Sequence, residues 1–156
     1  MQKLFSGLAL LLLMNCQTKL KASDEVVLMA YFDDDQDGLK LAYSQDGFKW
    51  RRLNEGEAIF NPKVGHGLFR DPYLTRSPEG TFIMVWTTGW SNSDIGFAVS
   101  PTLNGWTKAW TIPLMKSFKE TQNSWAPELY YLEKTKEYFV FWASTVGKKK
   151  YDHRIY

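Results

Sequence analysis

Two carboxylates stand where chemistry could be done. The first is Asp71, in His66-Gly-Leu-Phe-Arg-Asp-Pro-Tyr73, an acid between an arginine and a proline at the mouth of an apolar run. The second is Glu128, 57 positions on in Ser124-Trp-Ala-Pro-Glu-Leu-Tyr-Tyr131, again beside a proline. Two carboxyl groups can divide acid and base work between them. One stays ionised and takes a proton from water, while the other is protonated and gives its proton to a leaving oxygen. That division requires neighbours that push the two pKa values apart. Pro72 fixes its own φ and biases Asp71 towards extended backbone, so the acid is expected to enter its strand at a defined angle. The structural alternative for Asp71 is a capped turn held by Arg70, with Pro72 as an edge-strand proline. The second acid beside a proline, in an equivalent frame on the equivalent strand of the next unit, favours a site.

The elements that would position these acids repeat. Val26-Val-Leu-Met-Ala30, Phe82-Ile-Met-Val-Trp86 and Tyr138-Phe-Val-Phe-Trp142 begin at 26, 82 and 138, a period of 56. Leu39 to Ser44 followed by Trp50 is matched at the same period by Ile95 to Ser100 followed by Trp106. Turn signals at Asp33–Gly38, Asp46-Gly47, Gly89–Asp94 and Asn104-Gly105 separate the β-branched and aromatic runs. Short strands with hairpin punctuation at this spacing predict antiparallel four-stranded units, the pattern of β-propeller blades. Outside the N-terminus no segment has helical periodicity. A compact β-sandwich of this length is the plainer alternative, but it leaves the period unexplained.

One period before Asp71 falls at position 15, so the first unit is expected to lack its innermost strand, and the third to lack its outer strands. Residues 24–156 then read as an incomplete β-propeller domain of two to three blades. In an antiparallel blade the mouth of strand one and the loop between strands two and three share a face. Asp71, Glu128 and the loops at 33–38, 89–94 and 145–152 should therefore lie together. Trp90, in a polar loop on that face, is the candidate for stacking on a ligand ring. Trp125 could contact the ligand too, although for it and Trp142 packing between blades is the stronger reading. Arg70 and His66 flank Asp71 as further candidate contacts, His66 also reading as a solvated loop histidine. His153, between Asp152 and Arg154, could contribute in the complete enzyme and is not assigned as catalytic.

Composition narrows the partners. With 19 basic and 17 acidic residues well mixed, the net charge of +2 makes no case for nucleic acid or a membrane surface. Aromatic residues make up 16% of the chain, seven of them tryptophan, which suits β-structure or a surface for stacking on sugars. Lys3 and the apolar run Leu8–Met14 have the form of a secretory signal over residues 1–22, cleaved after Ala22. The single cysteine, Cys16, directly follows that run, so a lipoprotein signal ending before Cys16, and a lipid anchor on it, is the other expectation. Either way the chain is expected to be exported and to hold no disulfide. Asp33-Asp-Asp-Gln-Asp37-Gly38 matches the front of a calcium loop through Asp33, Asp35 and Asp37. Ser44 stands where such a loop needs a glutamate, so an acidic hairpin turn is the simpler reading. No cofactor is expected.

The ordered set Arg-Asp-Pro-Tyr, Trp-Thr, Gly-Phe-Ala-Val-Ser, Asn-Gly-Trp and Trp-Ala-Pro-Glu-Leu-Tyr-Tyr resembles the first half of glycoside hydrolase family 43 over about residues 26–156. The resemblance implies a five-bladed β-propeller that hydrolyses arabinose- or xylose-containing glycans with inversion. It gives Asp71 the role of general base and Glu128 that of the acid tuning the general acid, with glutamate replacing the more usual aspartate. The general acid itself would lie in the next blade, beyond Tyr156. Two further readings stand beside this one. One is a non-catalytic carbohydrate-binding propeller. The other is a fructan-type glycosidase with Glu128 as the acid, for which the expected Asn-Asp-Pro nucleophile is missing from residues 24–60.

Overall fold

The computed structural model describes residues 25–34, 37–149 and 152–156. The signal segment, Cys16 and Asp35 lie outside the described residues. Ten strands follow in order: β1 Val27–Tyr31, β2 Lys40–Ser44, β3 Arg51–Arg52, β4 Arg70–Arg76, β5 Phe82–Thr87, β6 Ile95–Ser100, β7 Trp110–Ile112, β8 Trp125–Leu132, β9 Glu137–Ser144 and β10 Arg154–Ile155. They form three sheets ordered β1-β2-β3, β4-β5-β6-β7 and β10-β9-β8, with every neighbouring pair antiparallel. Among the described residues there is no α-helix, only a 3-10 turn at Asn54–Gly56. The chain is therefore all-β.

The middle sheet shows why the three belong together. Its strand β5 is Phe-Ile-Met-Val-Trp-Thr, rich in residues that fit a pleated surface and apolar on both faces. One face, Met84 and Trp86, packs with Leu39 and Leu41 of the first sheet, and with Phe69, Ala98 and Trp106. The other, Val85 and Ile83, packs with Ile95, Leu129 and Val140, the last two from the third sheet. The sheets thus stack face to face in chain order, as blades do. Gly96 makes room for this core, since a Cβ there would lie 2.1 Å from the Trp86 ring.

The repeat is visible in the turns as well. After β2, the Ser44 hydroxyl accepts from Gly47 N at 2.9 Å, and Trp50 Nε1 donates to Gly47 O at 3.2 Å. After β6, the Ser100 hydroxyl donates to Thr102 O at 2.6 Å, and Trp106 Nε1 donates to Leu103 O at 2.8 Å. In both turns a serine ends the strand and a tryptophan closes back on the carbonyl three residues earlier. Trp106 is 7% exposed and Trp50 39%, because Trp106 stacks on Phe60 at 5.8 Å. The first sheet holds counterparts of β5, β6 and β7 but none of β4 among the described residues.

Strand register corrects two expectations about Asp71. On β4, Arg70 pairs with Thr87 and Tyr73 with Val85, so Asp71 and Pro72 together oppose the single residue Trp86. Two residues against one make a β-bulge, and Asp71 takes φ 50° there instead of the extended backbone that Pro72 alone favours. On β8, Trp125 pairs with Ala143 and Glu128 with Phe141, so Ala126 and Pro127 oppose Trp142, and Ala126 has φ 46°. The two bulges superpose Pro72 on Pro127. The counterpart of Asp71 is therefore Ala126, and Glu128 is the counterpart of Tyr73, two positions deeper in its strand.

Candidate active site

The bulge in β4 turns Asp71 towards the third sheet. Its Oδ2 accepts from the Thr87 hydroxyl at 2.8 Å. The same Thr87 oxygen accepts from the backbone N–H of Ala126 at 2.9 Å. Because an amide N–H can only donate, the single hydroxyl proton of Thr87 is directed at the carboxylate. Thr87 is 1% exposed, so its hydroxyl itself is shielded from solvent. One buried side chain thus ties the ends of β4 and β5 to the bulge of β8, and holds Asp71 in a single orientation.

A cavity of about 460 Å³ opens in front of this carboxylate, lined by Arg70, Asp71, Thr87, Trp90, Trp125 and His153 among others. The Arg70 guanidinium lies over the rings of both Phe32, at 4.9 Å, and Trp90, at 4.8 Å, so three loops meet at it. Trp90 and Trp125 meet edge to face at 5.9 Å, and Trp125 Nε1 donates to Gly89 O at 3.3 Å. His153 packs on Trp125 at 5.1 Å, and its Nδ1 is 2.9 Å from the Thr145 hydroxyl. One acid, one guanidinium, one imidazole and two indoles share this cavity. The set can hold a polyhydroxylated ring and activate a water beside it.

Four of the six sequence candidates, Arg70, Asp71, Trp90 and Trp125, come together here. Glu128 does not line this cavity. It is exposed on β8, paired with Phe141, on the face turned away from the middle sheet, because Pro127 and Leu129 take the inward positions. His66 is exposed as well and does not line the cavity; its ring lies against Gly89, where a Cβ would stand 2.9 Å from Nδ1. In the acidic loop, Asp33 and Asp37 both turn onto Lys40 Nζ, at 3.0 and 3.2 Å. Their hydrogen bonds, that of Asp33 first, raise the ammonium pKa above its usual value. A protonated lysine therefore holds the position between the carboxylates that a calcium ion would need. Among the described residues no cluster of three or more His, Cys, Asp or Glu could hold a metal.

Sequence reasoning passed over Thr87, Ala126 and Thr145. The available signal was the polar pair Thr87-Thr88 ending an otherwise apolar strand, since hydroxyls buried there need partners.

Comparison with curated proteins gives no match, and comparison with solved structures gives none. A family profile does match, over residues 25–155, which include all three sheets. The chain belongs to that family, a probable glycosyl hydrolase domain related to glycoside hydrolase family 43.

Proposed function

We propose that the protein is an exported glycosidase that cleaves arabinose- or xylose-containing glycans with inversion, Asp71 serving as general base. One observation carries the reading: the Ala126–Thr87–Asp71 chain fixes a carboxylate at the floor of a cavity walled by two tryptophans. With Oδ2 held by Thr87, Oδ1 takes the proton from an attacking water. Arg70, braced by Phe32 and Trp90, binds sugar hydroxyls beside it.

Inversion also needs a protonated carboxyl about 6.5–9.5 Å from the base. Among the described residues, Asp71 is the only acid lining its cavity. The proton donor belongs, in this proposal, to a fourth blade packed on the outer face of β8–β10, within a ring of five. That face supports the idea, because it exposes Tyr130, Phe139, Phe141 and Ile155. Glu128 stands among these residues and would tune the donor from there. A fructan-type reading with Glu128 as the acid facing Asp71 loses support, since the two side chains do not share a cavity. A sugar-binding role without catalysis is the second reading, favoured by the amount of aromatic surface at the cavity.

Proton NMR of the first sugar released from an aryl arabinofuranoside or a xylo-oligosaccharide separates these readings. Inversion at the anomeric carbon is expected. Retention would overturn the role of Asp71 as base, and tight binding without turnover would favour the second reading.

A further inference from the structure

His66 stands outside the Asp71 cavity, yet its ring meets the loop that carries Trp90. The N–H groups of His66 and Leu68 both donate to Thr88 O at 3.1 Å, so the backbone of residues 66–68 is fixed just past the end of β5. The imidazole then lies against Gly89. A Cβ at Gly89 would stand 2.9 Å from His66 Nδ1 and 3.0 Å from Asn92 Oδ1. Only a residue without a Cβ lets these two polar atoms approach the same point of the backbone.

Asn92 is 9% exposed, and its Nδ2 donates to Thr88 Oγ1 and to Asp94 Oδ1, both at 2.7 Å. A carboxylate only accepts, so the amide cannot be turned round, and Oδ1 has to face Gly89 and His66. That Oδ1 is buried and has no hydrogen-bond partner among the described residues. A buried acceptor in this position calls for a donor. The imidazole Nδ1–H is a donor on the same side of Gly89. His66 is exposed, so its ring is free to turn onto Oδ1 or to share one water with it.

We propose that His66 is a positioning residue: its Nδ1–H binds Asn92 Oδ1, directly or through one water, and this clasp across Gly89 sets the loop that presents Trp90 to the ligand. The loop at 89–94 is otherwise held by Trp125 Nε1 on Gly89 O at 3.3 Å and by Met115 N on Ser93 O at 2.9 Å. The clasp adds a tie to the segment that runs directly into Arg70 and Asp71, and so keeps Trp90 in register with the carboxylate. Asp71 has its own anchor in Thr87, so the clasp acts on binding and leaves proton transfer alone. What Trp90 binds rests on the carbohydrate reading above; the clasp itself does not.

Two variants of the intact protein test the clasp. His66→Phe keeps a ring and removes the N–H, while His66→Asn keeps a donor, because its amide nitrogen stands where Nδ1 stood. Backbone hydrogen exchange at residues 89–94 should quicken roughly three- to tenfold in His66→Phe, the worth of one hydrogen bond, and return towards the wild-type rate in His66→Asn. With an arabinoside or xyloside as substrate, His66→Phe should raise KM by a similar factor with kcat little changed, and His66→Asn should restore it. Unchanged exchange in His66→Phe, or no rescue by asparagine, overturns the clasp whatever the activity. Faster exchange with an unchanged KM overturns its role in presenting Trp90. A wild-type protein that turns over no sugar overturns the carbohydrate reading alone, and exchange still decides the clasp.

Discussion

Replacing Thr87 by valine removes one oxygen and keeps the shape of the side chain. In the wild type that oxygen serves two groups, Asp71 Oδ2 at 2.8 Å and Ala126 N at 2.9 Å. With valine the Ala126 N–H loses its partner, at about 1 kcal/mol, the low end of the range for an unpaired donor, because Ala126 itself is exposed. The lost bond to a charged carboxylate costs a further ~1.5 kcal/mol, the low end of its range, because Asp71 is half-buried and water can replace the donor. Thr87→Val should therefore destabilise the protein by roughly 2.5 kcal/mol. Thr87→Ser keeps the oxygen and loses one buried methyl, at about 1 kcal/mol. Urea denaturation of both variants measures the difference. Turnover of an arabinoside or xyloside adds a reading that stability alone would not give. An Asp71 freed from its hydroxyl anchor should lower kcat by roughly 10–100-fold with KM little changed, and serine should restore most of it. A valine variant as stable and as active as the serine variant would refute the proton-ordered anchor.

Two other consequences can be checked separately. Hydrogen bonds from the N–H groups of Lys49 and Phe48, helped by Ser44, hold the Asp46 carboxyl below the ordinary aspartate value. A depressed carboxyl stabilises the fold above the unfolded value and loses that contribution as the pH falls through the folded one. Between pH 5 and pH 2, Asp46→Ala should thus lose stability less steeply than the wild type, and parallel urea midpoints across that range would contradict this. On the outer face of β8–β10, Phe139 and Phe141 are each 44% exposed. If a further blade covers them in the intact protein, Phe139→Lys with Phe141→Lys should cost several kcal/mol, at about 1.5–3 kcal/mol for each buried ring. An unchanged melting temperature would show that nothing packs there.

The repeat was legible because each blade must bury apolar strands on both faces, and Met84 and Trp86 mark one face of β5 as clearly as Val85 marks the other. The converging loops were legible too, since strand direction alone places Trp90 on the side of Asp71. The bulge was not. In sequence, Asp-Pro and Pro-Glu look like similar acids beside similar prolines. Only the register, with Asp71-Pro72 opposite Trp86 and Ala126-Pro127 opposite Trp142, shows that the prolines correspond and the acids do not. A period of 56 in the second strands becomes 55 at the bulges, so the 57 positions from Asp71 to Glu128 overshoot the counterpart of Asp71 by two. Thr87 was hidden for a related reason: its role depends on a backbone N–H from the next sheet, which no composition or spacing announces.

The most direct measurement is the turnover of xylo- and arabino-oligosaccharides by the intact protein and by its Asp71→Asn variant, with KM determined for each. A general base is worth roughly 10²–10⁴-fold. The variant should lose kcat by that factor, bind substrate with little change in KM, and keep its melting temperature. Turnover by Asp71→Asn at the wild-type rate would contradict the assignment of Asp71 as the base.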